Sequence, residues 1–564
     1  MKKLLTSLCA ALSAGSLVAE TVWFATLEVD SLQTLQTGIE SFCKATELPI
    51  PPDVLNNMTT EALKGVLPGA ALDTLVSTKD PIRIFVLENT DQPLSQGGNP
   101  GFLATLTLSG EAKALQDQLA KVYGARRDDG NVFTFSAPSA ETPWLPANIL
   151  LSIERSKATL ATSKEAFAWF KQQQKLDSFL PLAGTQTLRA CVNVKQITLP
   201  VLPTGQVNPF AAILGDVEYF SIAATPNAQA FTLSYGIRLK AGSLLATLMD
   251  TFQPPNATLW NGLPENAFYA YIGPETNTEP LRKFTAAYLQ QEIPVEPIVT
   301  KLENALTGDL IRYLVPTQDK KGLRLVDIDP VKDAAAVKEV IKAFDQVEMS
   351  PGVKFKKEEP REVSGLTLER YSLVLDINAI MQAQGVPVGA DPNIGLIGAV
   401  LSMFVKSIML ECTVKDNYLL SAFGPAGATD NWIPAIPFAA PTVTLDKKLA
   451  ALDPAAKPLL GAYEFRLLPL LKQIVSMLPN VKPEHINLFT ATTDPIQAWT
   501  TRTADKTIIA TVRVPANEVA AIVRIAMNGQ AALQEILAPL IAAQMQQLLM
   551  QQMTPPAAVP PPNF

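Results

Sequence analysis

Thr78-Lys79-Asp80-Pro81-Ile82-Arg83-Ile84-Phe85-Val86 in the first part of the chain and Thr307-Gly308-Asp309-Leu310-Ile311-Arg312-Tyr313-Leu314-Val315 in the second carry one pattern twice. Each has a threonine, an aspartate two residues on, and an apolar run broken by one arginine. Short runs rich in β-branched and aromatic residues read as strands. Working outward, each passes through a polar loop (Asn89-Thr90-Asp91-Gln92; Thr317-Gln318-Asp319-Lys320) into a second strand, 102–108 or 323–328. Each second strand leads to a helix with the same i, i+4, i+7 apolar spacing: Leu115, Leu119, Val122 against Val337, Ile341, Phe344. Asp329 reads as the cap of the later helix, with Pro330 as its first residue.

The parallel continues in order. An Asp129-Gly130 turn and strand 131–136 match 366–375, and 151–162 matches 410–421. Further on, 217–225 matches 486–493, and Ile237-Arg238-Leu239 matches Val512-Arg513-Val514. Collinear order predicts two tandem, internally similar domains, 20–252 and 265–529, joined by a linker at 253–264 rich in Pro, Asn and Gly. Adjacent strand pairs with interspersed helices indicate the α+β class, each domain a largely antiparallel sheet with packed helices. A regular βαβ alternation is not visible, which disfavours a doubly wound sheet.

The chain has 564 residues, 48% of them hydrophobic, so it has material for a large core and is not a disordered composition. With 46 basic and 53 acidic residues its net charge is −7, and no basic face for nucleic acid is indicated. One histidine removes most multi-histidine chemistry.

Met1-Lys2-Lys3 followed by an apolar run to Ala19 reads as an export signal, predicting a mature start at Glu20, or alternatively a cut after Ser16. Leu8 before Cys9 does not suit a lipoprotein cleavage. The mature chain keeps Cys43, Cys191 and Cys412, an odd number without metal spacing. No later segment has the roughly 18–20 uncharged apolar residues of a membrane span. The expected location is periplasmic or extracellular.

Two segments distinguish the second domain. An insertion at 378–405 contains the uncharged stretch 393–405, whose Ile394, Leu396, Ile397, Met403 and Phe404 are candidates for contact with an apolar ligand. A buried packing helix or an interfacial membrane contact are its other readings. From 530 to 564 the chain is Met/Gln-rich and ends in a proline tail; Leu540, Ile541, Met545, Leu548 and Leu549 are candidate partner contacts or a face docked on the chain itself.

Catalytic signals are sparse. His485 reads as a loop or edge residue before a strand. Ser41-Phe42-Cys43-Lys44 fits S-x-x-K, but its companion motifs are missing. Asp327 and Asp329 share one side of a strand and have the spacing for a hard cation. No phosphate-binding loop is present, and no cofactor or metal is indicated. With the lysine-initiated leader and strand–helix segments such as Ala158-Thr159-Leu160-Ala161-Thr162-Ser163-Lys164-Glu165-Ala166-Phe167, the chain resembles signal-peptide-bearing bacterial envelope proteins with repeated α+β domains. That resemblance implies no particular activity and transfers no residue. The expectation is a non-catalytic exported protein binding an apolar small molecule or lipid. Alternatives are an envelope interaction protein using its tail, and a carboxylate-based hydrolase.

Overall fold

The computed structural model describes residues between Thr21 and Glu535, apart from 58–73, 90–100, 137–147, 173–186, 195–212, 256–262, 290–296, 376–407, 435–458 and several shorter stretches. The leader at 1–19, the insertion residues Ile394, Leu396, Ile397, Met403 and Phe404, and the tail residues Leu540, Ile541, Met545, Leu548 and Leu549 lie outside the described residues.

Described strands number 21 and belong to one sheet. The first series is β1 (Thr21–Val29), β2 (Ile82–Asn89), β3 (Gly101–Thr107), β4 (Arg126–Asp129), β5 (Val132–Ser136), β6 (Asn148–Glu154), β7 (Lys157–Ala161), β8 (Leu188–Asn193), β9 (Val217–Pro226) and β10 (Ala230–Leu239). From neighbour to neighbour these lie in the order 4-5-6-7-3-2-1-8-9-10, every pair antiparallel. The second series is β11 (Tyr269–Pro274), β12 (Asp309–Pro316), β13 (Leu323–Pro330), β14 (Glu348–Ser350), β15 (Val353–Val363), β16 (Leu366–Leu375), β17 (Ile408–Lys415), β18 (Tyr418–Pro425), β19 (Leu459–Phe465), β20 (Ile496–Arg502) and β21 (Thr507–Pro515). Its order is 14-15-16-17-18-13-12-11-19-20-21, again antiparallel throughout.

The last strands of the two series pair with each other, β10 on β21, from Ala230 opposite Pro515 to Arg238 opposite Thr507. At the middle of this junction Ser234 faces Thr511, and their buried hydroxyls lie 3.0 Å apart. An antiparallel ladder with one buried hydroxyl pair therefore makes the two series one continuous sheet.

Ten α-helices flank it: α1 (Leu32–Thr46), α2 (Ala112–Tyr123), α3 (Lys164–Gln172), α4 (Leu244–Thr251), α5 (Glu279–Leu289), α6 (Pro297–Ala305), α7 (Ala334–Lys342), α8 (Leu467–Met477), α9 (Pro483–Asn487) and α10 (Ala516–Asn528), counted among the described residues. Because successive strand residues point to opposite faces, neighbouring residues of the first series enter different cores. Ile84, Ala104, Leu151 and Leu160 meet Leu115 and Leu119 of α2. Phe85, Leu103, Leu150 and Ala161 meet Ala166, Phe167 and Trp169 of α3. Helices thus cover both faces there. At the junction α10 packs on α1, and α4 packs on α5. Each series therefore ends in a helix that lies against the first helix of the other.

Two boundaries differ from expectation. Asp329 and Pro330 close β13, with Pro330 opposite Tyr418; a strand end tolerates a residue without an N–H. The cap of α7 is Asp333, whose Oδ1 accepts from the Ala335 and Ala336 amides, both at 3.0 Å. Asp333→Ala should cost about 1 kcal/mol in urea unfolding; no measurable change would remove Asp333 as the cap. The apolar run expected as a strand at 486–493 instead begins with α9, and the strand follows at β20. Ile486, Leu488 and Phe489 turn inward against Leu468 and Val475 of α8, a helical packing role that their composition alone does not reveal.

Candidate functional site

The strand registers align one side chain from each of six neighbouring strands: Arg189, Glu28, Arg83, Thr105, Thr159 and Ser152, on β8, β1, β2, β3, β7 and β6. This row lies on the face that carries α3. Glu28 is buried and lies 3.2 Å from Arg83 Nε and 3.0 Å from Arg189 Nη2. Arg189 also reaches Asp30 at 2.7 Å. Two guanidiniums and two carboxylates thus form a balanced set, which is what allows Glu28 to remain buried.

The next row toward the sheet end holds Thr107, Lys157 and Glu154. On the other side of the polar row, α3 covers Phe85, Leu103, Leu150 and Ala161. Beside the polar rows lies a cleft of about 530 Å³. Its floor includes Arg83, Thr105, Ser152 and Thr159, and its wall is Phe167, Phe170 and Lys171 from the last turns of α3. The volume falls within the range of small-molecule sites.

Counted by strand order and register, the corresponding row of the second series is offset by one residue from the sequence pattern that set Arg83 beside Arg312. Ile311 takes the place of Arg83, and Arg312 lies in the adjacent row opposite Asp327. Thr159 is two residues beyond Lys157, which opens β7; Leu420 is two beyond Tyr418, which opens β18. The row through Leu420 reads Ala462, Ile272, Ile311, Ile328, Leu420 and Thr413. Its four central side chains are 0% exposed. A hydroxyl-and-charge floor in one series is solid aliphatic core in the other.

A second polar cluster is closed. Glu411 on β17 accepts from Arg361 Nε and Nη2 at 2.6 and 2.7 Å, from Arg324 Nη1 at 3.0 Å and from Trp432 Nε1 at 2.7 Å. Arg324 also donates to Asp430 at 2.6 Å. Burial would raise the Glu411 carboxyl, but the Arg361 and Trp432 hydrogen bonds and the arginine charges hold it below the ordinary range. Such a carboxylate is a poor proton donor or base near neutrality and acts as an anchor for the loop carrying Asp430 and Trp432.

The other candidates are scattered. Asp327 is engaged by Arg312 at 2.7 and 2.8 Å, which occupies the carboxylate offered for a cation. Among the described residues no group of three His, Cys, Asp or Glu could hold a metal. Ser41 and Lys44 lie on α1, with Lys44 exposed. His485, expected before a strand, is buried in α9, its Nε2 3.3 Å from Glu535, which also pairs with Lys482 at 2.9 Å. This ties the start of the carboxyl-terminal segment to the body of the chain. Cys43, Cys191 and Cys412 are buried free thiols, and desolvation pushes Cys191 up to about 12.

No protein-family model matches this chain, and neither a curated protein nor a solved structure does. The cleft therefore has to be read from its own chemistry. Its residues come from strands far apart in sequence, and only the registers bring them together. A local signal existed in Leu27-Glu28-Val29 and Ile82-Arg83-Ile84, where one charge sits between apolar neighbours and must face the opposite side of a strand.

Proposed function

We propose that this chain is an exported, non-catalytic binding protein that holds a small molecule in the cleft between α3 and the polar rows of the first series. The carrying observation is the contrast between Arg83, Thr105 and Thr159 and their aliphatic counterparts Ile311, Ile328 and Leu420. Where only folding is served, that position is apolar; a polar floor under a cleft supports recognition. The same strand order in the two series, setting β14 apart, and the reciprocal helix contacts at the junction support descent from one duplicated unit. Under that reading the copies are 20–252 and 265–529, and the second has kept the scaffold role.

The test imports the second series' residues into the first. Thr105→Ile with Thr159→Leu should leave the unfolding midpoint nearly unchanged and abolish binding of small molecules detected by ligand-observed NMR against the wild type. A variant that keeps the wild-type ligand set would refute the cleft as the site. Fractionation and amino-terminal sequencing check export, with Glu20 as the expected mature end.

A second reading has one specific observation behind it. Between α4 and α5 lies a groove of about 390 Å³ lined by Leu244, Leu248, Pro280 and Phe284, with Leu244 exposed. Those four side chains offer a surface for the apolar molecule or lipid expected from composition, with Glu279 and Lys283 at its edge. Organic extraction of the purified protein should then release a lipid, and an extract without one counts against this groove.

A further inference from the structure

Resting on the cleft reading above, we propose that its ligand is a small polyhydroxylated monoanion, of the chemical class of a sugar acid. The floor decides the first half of that description. Thr105, Thr107, Thr159 and Ser152 line the cleft from adjacent strands. Each hydroxyl offers one donor and two acceptor positions. An alkyl chain laid over them would displace water and leave each hydroxyl without a partner, whereas a ligand rich in hydroxyls replaces that water bond for bond. The ring of Phe170, half-buried on the wall, gives an apolar surface for the C–H face of such a molecule.

Charge decides the second half. Arg83 and Arg189 are balanced within the cluster by Glu28 and Asp30. Among the described lining residues that leaves Lys157 and Lys171 against Glu154, two cations and one carboxylate, an excess of one positive charge among them. Neither lysine has a carboxylate within ion-pair distance among the described residues. Arg83 still presents its guanidinium at the floor, 30% exposed, with the Glu28 carboxylate 3.2 Å from its Nε. A single carboxylate on the ligand completes the balance through charge-assisted hydrogen bonds. The second series has no equivalent, since Ile311 stands in the row where Arg83 stands in the first.

The experiment titrates the full-length protein calorimetrically and by ligand-observed NMR with three probes: glucuronate, glucose and decanoate. Glucuronate should bind about tenfold more tightly than glucose. Lys157→Gln and Lys171→Gln should each weaken glucuronate about two- to fivefold and leave glucose unchanged. Both lysines are surface groups, and equal urea midpoints will show that the variants fold. Glucose binding as well as glucuronate would overturn the anion assignment and leave the cleft reading standing. Decanoate binding more tightly than glucuronate would overturn the hydroxyl assignment, again leaving the cleft. Failure of all three probes would overturn both readings.

Discussion

Glu411→Ala is expected to destabilise the protein by about 3–5 kcal/mol, the cost of leaving buried cations without their counter-ion. Arg324, at 2% side-chain exposure, and Arg361, at 16%, both converge on this carboxylate, which is itself 3% exposed. Arg370 Nε lies a further 3.4 Å from it. Removing Glu411 leaves Arg324 with the Asp430 carboxylate, leaves Arg361 with the Asp430 backbone carbonyl, and takes the acceptor from Trp432 Nε1. The loop that returns over β15–β17 should loosen first, so Trp432 fluorescence should report the loss before the whole chain unfolds. Urea unfolding of E411A beside K356A gives the comparison. Lys356 pairs with Glu358 in solvent, 69% exposed, and its loss should stay within about 0.5 kcal/mol. Equal midpoints for the two variants would show that the cluster contributes no net stability.

The same residue sets a pH dependence. Its folded carboxyl is depressed below the ordinary 4.5. A depressed carboxylate contributes its stability above the unfolded value and loses it as pH falls through the folded one. The stability gap between wild type and E411A should therefore be constant above pH 4.5 and narrow below it. A gap that widened on acidification would contradict the ion-pair account.

What the sequence made legible was local. Asp80 to Val86 and Asp309 to Val315 announce strands because an apolar run with one charge has few other uses, and both contribute to sheet strands. Leu115 and Leu119 announce a helix face by their spacing, and both are wholly buried. Errors came where one residue type serves two purposes. Asp-Pro opens helices, yet Asp329-Pro330 closes a strand because the better acceptor, Asp333, follows a few residues later. Ile486, Leu488 and Phe489 suit a strand by composition but fill the gap beside α8. The candidate site was hidden for a different reason. Arg189 and Glu28 are 161 residues apart and meet only through the β1–β8 register. Nothing in either neighbourhood encodes that register. It is set by strand order, which depends on the packing of the whole sheet.

Gly38→Ala is the second substitution expected to have a large effect, and two opposing terms decide it. Alanine favours a helix interior over glycine by about 1 kcal/mol, so an unobstructed replacement in α1 would stabilise. A Cβ at Gly38, however, would lie 2.4 Å from the Pro226 carbonyl oxygen. That oxygen belongs to backbone at the end of β9, where the following turn is fixed by Asn227 accepting from the Gln229 and Ala230 amides. The strand end cannot give way easily, so α1 must move. Moving it disturbs Phe42 against Phe231, whose ring centroids lie 5.9 Å apart, and the contact of α1 with α10. Overpacking of this kind costs about 1–3 kcal/mol, enough to reverse the propensity gain. Gly215→Ala is the control, because nothing lies within 4 Å of its Cβ, and it should be neutral or slightly stabilising. A G38A protein as stable as G215A would show that α1 is not held against β9. The shape of the transition carries further information, since α1 belongs to the first series and α10 to the second. If the β10–β21 ladder makes the sheet one cooperative unit, G38A should shift a single transition; two separated transitions would mean that the series unfold independently.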